Sequence, residues 1–449
     1  VTGVQTCALP ISAKNDVAVN TNVTSLAVNV TSAGNMIVIN EANGVLIASN
    51  ISTVNGPISI TAGLASSGDV TGSGRISAGT ANVAITNTKG GVSLSVATGQ
   101  IAANNLTVTA QNSVAVSTNV TNVNVTATAF GQSATIQQTK QLTGLNVSTN
   151  VGDITVNLAS GNLNLPGQAF SANDATYTNF ANVTLGATAG FINVGTVTAN
   201  VLNVTAQSTS NFTTNIARFA ANITGAGQNL SLTDYDGFSI ANAGVKTAGG
   251  TIRLNAGTTA AGDITGAGAI NATTSGNVAL NSARGGINLS SAPSQVTADN
   301  LTIIAQNSVA MNTSVNTIDA NVTDAAATLT VNENTGLTVA NALTTGGSIS
   351  ITSGLGGSSS LTATGTINAT LTGNVSLRNS NGGISMTAVN QVVGNILTID
   401  ARDDVAVNTS IGTLDGKVGF AGTGNASASL TVNEATGLGL ANEIGRAHV

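Results

Sequence analysis

A self-similarity with a period of about 97 residues runs through this chain and limits its fold more than any single motif does. VAVNT from Val17 returns as VAVST from Val114, VAMNT from Val309 and VAVNT from Val405. GGVSL from Gly90 returns as GFINV from Gly190, GGINL from Gly285 and GGISM from Gly382. NEANG from Asn40 returns as TDYDG from Thr233, NENTG from Asn332 and NEATG from Asn433. These markers set four copies and a partial fifth, at 13–110, 111–207, 208–305, 306–401 and 402–442. The third copy has drifted most, yet Phe212, Ile216, Phe219 and Ile223 stand where Val19, Val23, Leu26 and Val30 stand in the first.

Inside each copy lie short segments that alternate a large aliphatic with a small or polar residue. LAVNV from Leu26, MIVIN from Met36, ISIT from Ile58 and LTVTA from Leu106 are examples. Strict alternation gives a strand with one buried and one wet face. Corresponding strands recur about every 20 residues, which places about five short repeats in each long one. Helix-period runs are missing. Two all-β architectures fit: a right-handed parallel β-helix of roughly twenty coils, or tandem β-sandwich domains of about 100 residues each. The β-helix is preferred because the 20-residue sub-repeat has no role in a sandwich. Aromatics, on which sandwich cores lean, make up only 2% of residues, and no linker separates the copies.

The composition follows from that architecture. Stacked coils place like residues about 5 Å apart, so like charges repel, and only 7% of residues are charged. Asn and Gly supply the left-handed backbone that tight corners need. A net charge of −6 with 12 basic residues argues against a nucleic-acid or anionic-membrane partner, and no apolar run is long enough to span a membrane.

The two ends read differently. EIGRAHV back-translates to GAGATCGGAAGAGCACACGTC, and the reverse complement of that string, in another frame, encodes QTCALPIS from Gln5. One DNA segment in opposite orientations at both ends is the mark of a sequencing adapter. On this reading 1–12 and 443–449 are artefacts, Cys7, Pro10, Arg446 and His448 carry no functional information, and 13–442 is an internal fragment.

Chemistry-bearing constellations are few. Asn-x-Thr triplets at Asn22, Asn29, Asn119 and Asn124 match a glycosylation pattern but arise automatically in strands of Asn, Val and Thr. Asp234 and Asp236 are a carboxylate pair in a turn that recurs with Glu41, Glu333 and Glu434; a turn-forming role is expected. Around Asp403 and Asp404, a solvated salt bridge is expected between Arg402 or Asp404 and Lys417 or Asp415, one coil on. Calcium loops, Walker patterns and a Ser-His or Cys-His nucleophile are absent, so no catalytic residue, metal or cofactor is assigned. Eight of the ten aromatics fall between Phe170 and Phe238. Phe191, Phe212, Phe219 and Phe238 are read as inward, whereas Tyr177 and Tyr235 are left as candidate ligand-contacting aromatics.

VAVNTNVTSLAVNV, NEANGVLIAS, GGVSLSVATGQI and LTVTAQNSVAV resemble the repeat regions of filamentous-haemagglutinin-like adhesins and other large bacterial surface β-helix proteins. The resemblance covers 13–442 and rests on repeat style. It implies a secreted or surface-displayed stalk whose partners are host or matrix glycans or proteins. No family binding residue carries over. The primary expectation is a non-catalytic stalk or passenger region. A carbohydrate-binding β-helix surface is the alternative, and a polysaccharide lyase or hydrolase on the same fold ranks below it. Open strand edges at the fragment's ends imply end-to-end self-association.

Overall fold

The computed structural model describes residues 5–172, 180–357, 359–419, 427–435 and 437–441. These residues contain no helix and wind as the parallel stacked coils of a β-solenoid of about 19 turns. Strand pairings among them are parallel, with partners about 20 residues apart in sequence. Hairpin-built sandwiches pair their strands antiparallel, so tandem sandwich domains are excluded. The chain divides into two compact units, Val1–Ile216 and Ala217–Val449.

In the first unit each coil feeds two ladders. One stacks Val17, Ile37, Ile58, Val83, Leu106, Val123 and Leu145 in register, all inward and buried. The other runs through Val45, Val70, Val92, Val114, Ala134, Ile154, Val183 and Leu202. The segment Gln5–Ala13 is a strand paired with Val23–Ala33. In the second unit, one ladder stacks Val309, Leu329, Ile349, Val375, Leu397 and Leu414. Its companion carries Leu337, Leu361, Ile384, Val405 and Leu430.

Period-2 alternation produces this directly. Ile349–Ser353 turns Ile349, Ile351 and Ser353 inward and leaves Ser350 and Thr352 half-buried on the outside. Burying one such Ile or Leu contributes about 1.5–3 kcal/mol. Because every coil repeats the same narrow interior, a stack of aliphatics replaces the usual aromatic core.

The coil count per long repeat differs from the expected five. Four steps up one ladder carry Val17 to Leu106, and the next copy of the motif, at Val114, lies on the other ladder. The second unit behaves alike: four steps carry Val309 to Leu397, and Val405 lies on the companion ladder. The long repeat is therefore four and a half coils, and the two ladders exchange roles with every copy. Recurring strand patterns look alike on both ladders, which is why counting them in sequence missed the half coil.

The aromatics divide. Phe170, Phe212, Phe219 and Phe238 are buried, and Phe219 meets Phe238 edge to face at 6.3 Å between centroids. Phe191 is not inward; its neighbour Ile192 is, paired with Leu163. A one-residue slip in reading a strand exchanges its faces. Among the described residues no helix is long and apolar enough to cross a membrane.

Candidate functional site

The long repeat is written in the polar residues that the coils hide. Strands such as Val17–Thr21 and Ile37–Glu41 end on a fifth residue that points in at a corner, and that corner column carries polar groups in a fixed order. First comes Thr, one coil later a carboxyl or amide. Thr21 donates to Glu41 at 2.6 Å, Thr118 to Gln138 at 2.5 Å, Thr313 to Glu333 at 2.8 Å and Thr409 to Glu434 at 2.6 Å. The same acceptors take the backbone N–H two residues after the Thr, from Val23, Val120, Val315 and Ile411. Glu333 also accepts from the Thr335 N–H and hydroxyl, both at 2.8 Å. Buried polar atoms need such partners, and here each bond ties one coil to the next.

Two further pins recur. Thr53, Thr149, Thr247 and Thr344 are buried and donate to the carbonyl three residues on, at Gly56, Gly152, Gly250 and Gly347. Gln100, Gln295 and Gln391 are buried and anchor loops that bulge out of a ladder at 95–100, 290–295 and 387–391. The Gln295 amide donates to Gly266 and Gly268 while its oxygen accepts from the Ser291 N–H. Gln100 and Gln391 repeat the geometry. The residue before each Gln is left-handed: Gly99 at φ 60°, Ser294 at 49° and Asn390 at 51°. The Asn of VAMNT and VAVNT then holds its loop from the next coil, Asn312 donating to Ser290 and Ala292, Asn408 to Thr387.

Asp residues serve at strand entries. Asp16, Asp69, Asp153, Asp263 and Asp404 each precede an inward residue and accept a backbone N–H from the coil above, at 2.7–2.8 Å. For Asp404, the Ser429 N–H and then its hydroxyl hold the carboxyl below its ordinary range.

Asp234 is buried in the corner column, and its Oδ1 accepts from the Asp236 N–H at 3.2 Å. Asp236 caps its own turn through the Gly237 N–H. The turn role holds, but the first carboxyl of the pair lies inside the coil. Asp404 reaches Ser429, in place of the expected Lys417 or Asp415; the ion pair formed nearby is Arg378–Asp400 at 3.4 Å. Strand register explains this, since Arg378, Asp400 and Lys417 occupy one outward position in successive coils. The triplet residues Asn22, Asn29 and Asn124 accept side-chain hydrogen bonds from the coil above, from Asn43, Ser52 and Asn146. Tyr235 is 48% exposed on its turn, and its carbonyl accepts from the Thr259 and Ala260 N–H groups. Tyr177 lies outside the described residues, as does His448.

Sequence reading missed the inward position of the acids, although the alternation Ile37, Ile39, Glu41 points to it. It also missed Gln138 as the second copy's counterpart. Among the described residues no group of three or more His, Cys, Asp or Glu side chains is placed to hold a metal ion. Comparisons with known proteins return no matching family model, no matching curated protein and no matching solved structure.

Proposed function

We propose that this chain is a non-catalytic structural stalk, the passenger region of a large secreted or surface-displayed bacterial adhesin. One observation supports the reading most: eight of the acidic side chains are engaged in holding coils together. Of the 18 acidic residues, Glu41, Glu333 and Glu434 bond the coil below at corners, and five Asp residues bond the coil above at strand entries. Glycoside chemistry needs two carboxyl groups about 5–9.5 Å apart on one reacting face. Asp234, half of the best local pair, faces the interior.

The test grafts the chain between a bacterial surface anchor and an unrelated binding module. The intact chain is expected to support module-dependent adhesion under flow, and variants lacking the corner pins, Glu41→Ala with Glu333→Ala, to lose it. Adhesion indifferent to those pins, or release of reducing or unsaturated ends from polysaccharides, would contradict the stalk. Exposed Tyr235 favours a second reading, a carbohydrate-binding surface. Tyr235→Ala should then lower polysaccharide retention; unchanged retention removes this residue as a contact.

A further inference from the structure

Two grooves occupy the same place in the repeat. One, of about 310 Å³, is lined by Thr98, Ser117, Gln137, Thr139 and Asn157, with Leu158 and Ala159 on its wall. The other, of about 360 Å³, is lined by Pro293, Ser294, Asn312, Asn332, Asn334 and Leu355. Thr98 and Pro293, Ser117 and Asn312, Gln137 and Asn332, and Thr139 and Asn334 are each 195 residues apart, two long repeats. Each groove lies within one compact unit.

Both are built alike. The Gln-anchored loop closes one end, and the floor is an outward row crossing successive strands of one ladder. Ser117, Gln137 and Asn157 are in register in the first, and Asn312 and Asn332 in the second. At about 4.8 Å per strand, the first floor extends roughly 10 Å and the second about half of that. Asn332 donates to Asn312 at 3.0 Å, which fixes the amide planes. The side chains of Gln137, Asn157 and Asn334 make no hydrogen bond with any described residue, so their donors and acceptors face outward unused.

We propose that these grooves bind short neutral oligosaccharides. No ionisable side chain lines either groove, so neither an anion nor a cation finds a counter-charge. An extended peptide cannot add as a strand, because the floor strands are already paired on both sides. Amides offer a donor and an acceptor together, which suits adjacent hydroxyls on an uncharged chain. A stalk requires no such groove, and the site is independent of Tyr235.

The isotopically labelled intact chain is titrated with hexaoses of glucose, mannose and N-acetylglucosamine, and with a heparin hexasaccharide. Side-chain amide resonances of Gln137, Asn157, Asn332 and Asn334 should shift with at least one neutral hexaose and not with heparin. The backbone amides of Thr98 and Thr139 should shift with the parent chain and stay still in the variant carrying Gln137→Ala and Asn157→Ala, in which Asn332 still responds. Asn332→Ala should do the reverse, and Tyr235→Ala should alter neither. Unchanged circular dichroism and melting establish that each variant is folded. Silence with every neutral hexaose, a stronger response to heparin, or shifts that survive the groove variants would overturn the proposal while leaving the stalk reading intact.

Discussion

Glu333 and Gln138 meet one demand with two chemistries. Each stands buried at a corner and takes a Thr hydroxyl and a backbone N–H from the coil below. Gln138 adds a bond that a carboxylate cannot make, from its amide to the Val120 carbonyl at 2.6 Å. Glu333→Ala should therefore strand Thr313 and Val315 and cost about 2–3 kcal/mol, while Glu333→Gln, which keeps the acceptor for Thr313 and Val315 and loses only the one for Thr335, should cost less, about 1–2 kcal/mol. Denaturant unfolding measures both, and equal losses would refute the pinning role. Asp404 gives a pH dependence. Its carboxyl is held below the ordinary range by Ser429, so its contribution is present above that range and lost as pH falls through the lowered value. Asp404→Asn should flatten the acid limb of the melting-temperature profile. At this scale the sequence showed which residue types recur but not which way they face. A marker such as NENTG reads as a turn because Asn and Gly dominate it, and its Glu is inward only by the count from Leu329.

The bulging loops show what an element needs beyond its strand pattern. Loop 290–295 interrupts a ladder whose strands resume on either side, at Ile287–Leu289 and Val296–Ala305. Period-2 alternation marks those strands clearly and says nothing of the loop between them. The loop is fixed by Gln295 beneath it, by Ser294 in the left-handed region and by Asn312 from the next coil. Gln295→Ala removes the first of these and should cost about 1–3 kcal/mol by leaving carbonyls unsatisfied. Amide exchange should quicken across 290–295 while Met311 and Leu329 keep their protection. Uniform quickening would mean that the Gln supports the whole coil stack. The grooves were illegible in sequence for the same reason, since Thr98, Ser117, Gln137 and Asn157 come together only once the register is known.

For the whole molecule, the long repeat and the all-β winding could be read from self-similarity, alternation and scarce charge. What could not be read is that a copy spans four and a half coils, because strands of both ladders share one pattern. Parallel stacking in this register makes residues far apart in sequence neighbours. Ser93 and Ala115 are partners on one ladder, whereas Thr107, nearer to Ala115 in sequence, lies on the other. With Cys7 replaced by Ser, nitroxide labels at 93 and 115 should show strong dipolar broadening, and labels at 107 and 115 much less. Broadening confined to the 107–115 pair would mean hairpin pairing and would contradict the solenoid.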